Sequence, residues 1–367
     1  MRVYLLVALT AALVTYLLAG PVRAVALRTG AVARVRRRDV HSVPMPYYGG
    51  VAMLGGLTAA MLLATQLPFL RSHVTVSHDA LAVLLASVMI TVVGVLDDLF
   101  DLPAMVKLAG QTLAAGVVVL QGVRIYWIPL PDSIVALDDA SSILITLLFI
   151  AVCVNAVNFV DGLDGLAAGV IAIGAGAFFS YSYFLAYEQG LALATTASLI
   201  TVATCGICLG FLVHNFHPAR MFMGDSGAML LGLLMAMSTI SFTGQVDASV
   251  LSPEQGDILP SLLPILLPLA ALALPMFDLV AAYIRRTHRG QHWFVADKQH
   301  LHHRLLQRGH SHRGAVLLMY AWAAVFSVGL IVLVFLDRIL AAFLVLAALI
   351  ALVLVTFRPG RRGSPAA

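Results

Sequence analysis

Runs of about twenty apolar residues recur along the whole chain, and no other feature restricts its fold as much. A helix rising 1.5 Å per residue needs ~20 residues to cross the ~30 Å hydrocarbon core of a bilayer. Inside that core every backbone N–H and C=O has to pair within its own segment. We place eleven candidate spans, beginning near residues 3, 47, 79, 105, 141, 164, 191, 225, 258, 314 and 339. Composition agrees: 61% of residues are hydrophobic and 11% charged, where soluble domains carry about 25% charged residues. The expected fold class is an all-α polytopic membrane protein: one multi-span domain over residues 1–357, then a short basic tail, 358–367. The first run, VYLLVALTAALVTYLLAG, is too long for a signal-peptide core and lacks a small-residue cleavage site, so it reads as a retained span. Cys153, Cys205 and Cys208 lie inside apolar runs, which argues against a disulfide framework or a thiolate metal site.

Charge sets the orientation. With the N-terminus outside, only Arg2, Arg71, Arg124 and Arg338 of the 22 Lys and Arg residues fall on outer connections. The rest lie on inner connections and the tail, as the positive-inside rule requires. The net charge of +4 thus serves orientation and attraction to membrane lipid head groups or phosphates, and nucleic acid is not an expected partner. The outer connection 122–140, GVRIYWIPLPDSIVALDD, reads as a short β-hairpin with Tyr126 and Trp127 at the interface and Asp138 and Asp139 capping the next helix.

Four polar clusters then share the inner side. VLDDLFDLPAMVKLAGQ carries Asp97, Asp98, Asp101 and Lys107; a continuing helix puts Asp97 and Asp101 on one face, where like charges repel unless a cation or lysine intervenes. In NAVNFVDGLDGLAAG, Asn155, Asn158, Asp161 and Asp164 recur every third residue. Steps of about 300° sweep them around half a helix, so the segment has to tighten or break, and Gly162 and Gly165 permit a break. Carboxylates are costly at membrane depth and belong beside a watery cleft. HNFHPARMFMGDSGAMLLG brings Asn215 and Phe222 and sets Asp225 and Ser226 at the start of an apolar helix. They can cap that helix, whose N-terminus also suits phosphate, and a carboxylate there can hold Mg²⁺. The 285–313 connection holds seven of the twelve histidines, with Asp297, His300, His303 and Arg304 at helical spacing. Zinc, anion binding and a solvated basic loop all fit histidines there; Lys298 and Arg304 favour anions. Carboxylates for a hard cation opposite basic groups for anions suggest phosphoryl transfer to a lipid-borne acceptor.

In this order, DDLFD, NAVNFVDGLDGLAAG, NFHPARMFMGDSGAMLLG and DKQHLHHRLLQRGHSHR resemble the polyprenyl-phosphate N-acetylhexosamine-1-phosphate transferases of glycosyltransferase family 4. HLHHRLL resembles the branch using UDP-GlcNAc. The resemblance implies that undecaprenyl or decaprenyl phosphate attacks the β-phosphorus of UDP-GlcNAc, releasing UMP and opening a cell-envelope polysaccharide in a bacterial plasma membrane. It implies Mg²⁺, with Mn²⁺ as a substitute, on Asp225, Asp97 and Asp98. Asp97, Asp98, Asp161, Asp164 and His300 are then catalytic candidates, and Asn158, Asn215, Phe222, His302, His303, Arg304 and Lys107 substrate-binding ones. A homodimer stays open. Two departures stand out: Ala296 replaces a family proline, and Tyr47-Tyr48-Gly49-Gly50 lacks a frequent arginine. The alternatives are a phospho-MurNAc-pentapeptide transferase and, in another class, an ion-coupled transporter. Transporter sites lie near the midplane between repeats, and this chain has neither feature.

Overall fold

The computed structural model describes the chain except for residues 33–43, 72–73, 131–132, 189–190, 192–193, 246–258, 274–275, 278–279, 281–283, 285–286, 289–304, 306–308 and 358–367. Its elements are α1 (Arg2–Thr29), α2 (Gly49–Gln66), α3 (Pro68–Arg71), α4 (Val74–Phe100), α5 (Ala104–Leu120), β1 (Trp127–Leu130), β2 (Ser133–Ala136), α6 (Asp139–Val160) and α7 (Leu166–Glu188). They continue with α8 (Thr195–Asn215), α9 (Gly224–Gln245), α10 (Leu259–Ala271), α11 (His312–Phe335) and α12 (Arg338–Phe357). Among the described residues nine helices are long and apolar enough to cross a membrane; α5 and α10 are shorter apolar helices. The protein is an all-α, multi-pass membrane protein.

Helix α9 is the hub. Its spanning window is 94% buried, against 28% for α1 and 17% for α12, so α9 contacts protein on all sides while the outer pair present Leu, Ile and Phe to lipid. It packs against α2, α4, α6 and α8. Lipid tails are as apolar as leucine, so close backbone approach rather than hydrophobic transfer drives such packing. A Cβ at Gly94 of α4 would stand 2.3 Å from the Ser226 Cα, and one at Gly50 of α2 would stand 2.3 Å from the Gly227 N.

Helix α10 shows how the backbone stays satisfied. Pro264 and Pro268 lie inside it and remove the N–H groups that would bond the carbonyls four residues earlier. Neighbouring side chains replace them: Tyr181 donates its hydroxyl to the Pro260 O at 2.9 Å, and Thr239 donates to the Pro264 O at 2.5 Å.

The expected hairpin is present, with Trp127 opposite Ala136 and Leu130 opposite Ser133. Asp138 caps α6, accepting from the Ala140 and Ser141 N–H groups; the Ser141 side chain first, then these backbone bonds, hold its carboxyl below the usual range. Asp139 instead pairs with Arg124 at 3.3 Å. Ser142 and Thr146 bond the Ile125 backbone and fix the hairpin to the start of α6. Asp161 lies at the other end of that helix, so hairpin and acidic cluster occupy opposite ends of the bundle.

Candidate active site

Helix α4 stops where proline stops it. The residue before a proline is pushed out of the helical region; Leu102 precedes Pro103, and Pro103 caps α5. Asp101 takes a left-handed φ of 51° and is exposed. The expectation that a continuing helix would align Asp101 with Asp97 is therefore corrected. Asp97 turns inward, 5% exposed, accepts from the Leu102 N at 3.0 Å and forms an ion pair with Lys107 of α5. Lys107 also reaches Asp225 of α9, with Nζ to Oδ2 at 3.1 Å. One ammonium thus joins carboxylates from two other helices.

Asp98 takes a different job. Its carboxylate accepts from the Asp225 N at 2.8 Å and the Ser226 N at 3.3 Å. It caps α9 from another helix, satisfying N–H groups that a helix start leaves open. Those N–H groups were expected to be free for a phosphate; they are engaged. The contact is tight enough that a Cβ on Gly224, at φ 68°, would stand 2.4 Å from an Asp98 carboxylate oxygen.

The motif on α6 divides by function. Asn155 donates to the Gln111 Oε1 of α5 at 2.8 Å, and Gln111 is 1% exposed, so this asparagine clamps two helices together. Asn158, one turn further, lies near the Asp225 carboxylate. The helix then ends at Asp161, and the chain turns through residues 161–165, with Gly165 at φ 77°. This is the break anticipated from the glycines. Part of Asp161 still meets solvent, yet burial pushes its carboxyl up to about 8, and the nearby charges of Asp225, Asp98 and Asp164 add to the rise. A carboxylate held so high among other carboxylates calls for a proton or a cation. The charged groups that raise it, Asp225, Asp98 and Asp164, offer carboxylate oxygens, the hard donors that suit Mg²⁺.

Asn215 and Asp164 brace the neighbouring loops. Asn215, 2% exposed, accepts from the Gly165 N and donates to the Met221 O, both at 3.0 Å. Asp164 Oδ2 accepts from the Ala219 N at 3.1 Å and meets His217 Nδ1 at 2.8 Å. Phe222 is fixed through its backbone: its N donates to the Pro46 O at 3.0 Å, and its carbonyl accepts from the Gly49 N at 3.2 Å. Its half-exposed ring lies 6.4 Å from that of Tyr47. His300, His302, His303, Arg304 and the substituted Ala296 lie outside the described residues.

The structure therefore brings together Asp97, Asp98, Lys107, Asn158, Asp161 and Asp225 at one end of the bundle, beside the braced loops of Asp164, Asn215 and Phe222. Sequence reasoning missed Gln111 and His217. Gln111 stood in a quoted stretch, four residues after Lys107 on the same helix. His217 flanks the Asn215 motif but its partner lies 53 residues away.

Comparison with known proteins follows these same segments. Residues 80–243 match the model of glycosyl transferase family 4. The chain is 46% identical over 333 residues to the decaprenyl-phosphate N-acetylglucosaminephosphotransferase of Mycobacterium tuberculosis (strain ATCC 25618 / H37Rv), covering 90% of this chain and 82% of the relative. It is 42% identical over 369 residues to the enzyme of the same name from Mycolicibacterium smegmatis, covering 100% and 90%. Against a probable undecaprenyl-phosphate N-acetylglucosaminyl 1-phosphate transferase of Bacillus subtilis the identity is 34% over 331 residues, covering 90% and 85%. The carboxylates gathered around Lys107 and Asp225 lie within or beside the matched region, and the chain belongs to glycosyl transferase family 4, among the polyprenyl-phosphate N-acetylhexosamine-1-phosphate transferases.

Proposed function

We propose that this protein transfers GlcNAc-1-phosphate from UDP-GlcNAc to a polyprenyl phosphate, with decaprenyl phosphate the first acceptor to test. The observation that carries the reading is the convergence of Asp97, Lys107, Asn158, Asp161 and Asp225 at one end of a membrane bundle. Relatives named for decaprenyl and undecaprenyl acceptors support it.

In this reading a lipid-phosphate oxygen bonds to the β-phosphorus of UDP-GlcNAc. The anhydride bond between the two phosphates breaks, and UMP departs with the electron pair. A polyprenyl-diphosphate-linked GlcNAc remains. A phosphate monoester has its second pKa near 6, so the acceptor is mostly dianionic at pH 7 and needs little help from a base. Asp97 therefore positions Lys107, and Lys107 supplies positive charge to incoming phosphate oxygens. Asp98 holds the α9 N-terminus and with it Asp225. Asn158 orients the Asp225 carboxylate, and the Phe222 ring offers a face to the nucleotide base. Asp225 and Asp97, with Asp161 close by, would hold Mg²⁺, or Mn²⁺ in its place. When bound, that ion neutralises charge on the diphosphate. His300, His302, His303 and Arg304 complete the anion grip in this proposal. In this proposal the site faces the cytoplasm of a bacterial plasma membrane, with the N-terminus outside.

The test is UMP release by detergent-purified protein with Mg²⁺ and decaprenyl phosphate, comparing UDP-GlcNAc, UDP-GalNAc and UDP-MurNAc-pentapeptide. UMP from UDP-GlcNAc alone supports the proposal. UMP from the pentapeptide donor alone overturns it in favour of the peptidoglycan branch.

A further inference from the structure

One histidine outside the reacting cluster joins two connections and the start of a helix. His217, in the α8–α9 connection, has its Nδ1 2.8 Å from Asp164 Oδ2 in the α6–α7 connection. Its ring lies 4.1 Å, centroid to centroid, from that of His312 at the start of α11, with the planes 20° apart. Its carbonyl accepts from Arg313 Nε at 3.0 Å. About two turns further along α11, the Tyr320 hydroxyl donates to the Gly165 O at 2.5 Å, and Ser311 caps the helix by accepting from the Gly314 N at 3.1 Å.

Asp164, His217 and His312 offer ligand atoms within 4.8 Å of one another, so a transition-metal site has to be weighed. The ring geometry decides against it. Metal–nitrogen distances of about 2.0–2.1 Å and tetrahedral angles would hold two imidazole centroids about 5 Å apart, and these rings are stacked at 4.1 Å. The oxygen of Asp164 that meets His217 also accepts from the Ala219 N. An ionised carboxylate only accepts, so the proton on this contact belongs to His217 Nδ1.

We propose that His217 is a positioning residue for donor binding: held by Asp164 and stacked on His312, it locks the α6–α7 and α8–α9 connections to the start of α11. Asp164 then acts through His217 and Ala219 and does not touch the reacting atoms. The loop so fixed runs directly into Phe222 and Asp225. This inference rests on the proposed donor, and its failure is separable from failure of that reading.

The experiment compares H217A, H217N, H312A and H312F in steady-state UMP release, with thermal unfolding in detergent measured alongside. Asparagine keeps an N–H donor where His217 Nδ1 stands, and phenylalanine keeps a stacking face but no ligand atom. In H217A and H312A the KM for UDP-GlcNAc rises about 10-fold or more with kcat nearly unchanged, the signature of lost binding common to ground and transition states. H217N and H312F stay within about 3-fold of wild type in KM. H217N as impaired as H217A, or a fall in kcat with KM unchanged, overturns the latch. Stoichiometric zinc in the purified wild type that H312F loses overturns it in favour of a metal site. Wild-type protein inactive with every donor defeats the proposed reaction instead. In that event the melting temperatures of H217A, H312A and their double variant still decide: non-additive losses support the contact, and additive ones remove it.

Discussion

Lys107 and Asp225, 118 residues apart in sequence, stand 3.1 Å apart through Nζ and Oδ2, and the same ammonium pairs with Asp97. The lysine lies between two carboxylates, where the proposed reaction would place a diphosphate and its cation. Its two partners come from separate helices, so the contact joins chemistry to packing.

Removing Lys107 strands a buried charge. The Asp97 side chain is 2% exposed and that of Lys107 22%. For Lys107→Met we expect a loss of about 3 kcal/mol, at the low end for a broken buried pair because the lysine is part solvated. Asp97→Asn in the same chain restores most of that stability and none of the activity. Thermal unfolding and UMP release on the two variants check this; a double variant no more stable than the single one counts against a buried ion pair.

Asp225→Asn leaves the backbone N–H that Asp98 accepts, so melting temperature stays near wild type. UMP release falls by about 10²–10³, the scale seen when one electrostatic stabiliser is removed. Chelation with EDTA abolishes wild-type turnover, and added Mg²⁺ restores it. Full activity in the variant would falsify the metal assignment.

Gly94→Ala places a methyl 2.3 Å from the Ser226 Cα. The obstruction is backbone, which cannot rotate away, so the two helices separate. Overpacking of this kind costs about 1–3 kcal/mol, and here it also moves Asp225, one residue from the contact. We expect lower stability together with a fall in kcat, whereas alanine at Gly116, with nothing within 4 Å, changes neither.

Gln111→Leu removes the interhelical bond to Asn155. Polar contacts between membrane helices contribute about 0.6 kcal/mol on average and up to about 1.7. The variant should lose stability by that amount, melt earlier and keep its KM for UDP-GlcNAc. A large KM change would show that Gln111 serves the substrate directly.

Much of this was legible in the sequence because hydrophobic length alone counts spans in a bilayer: the eleven expected spans correspond to the nine long and two shorter apolar helices among the described residues. The hairpin was legible from Trp127, Pro129 and the β-branched residues around them, and the break after Asp161 from Gly165. What stayed hidden depended on partners distant in the chain. Nothing local distinguishes Asp98, which caps α9 across 127 residues, from Asp97 beside it, which faces Lys107. Nor does the three-residue spacing separate Asn155, spent on Gln111, from Asn158 at Asp225. Asp101 was misplaced although Pro103 was in plain view, because the helical period was extended past the residue that ends it.

The close approach at Gly50 and Gly94 bears on how such a protein can diversify. Where main chain rests on main chain, every single-residue change adds volume, so these helix contacts have no neutral neighbours in sequence space. New donors or acceptors would have to be acquired along the connecting loops, which can drift while these contacts stay fixed. A lineage of these proteins should therefore vary at its rims and stay uniform at its glycines, and exchanging loops between members should redirect what is built without rebuilding the machine beneath.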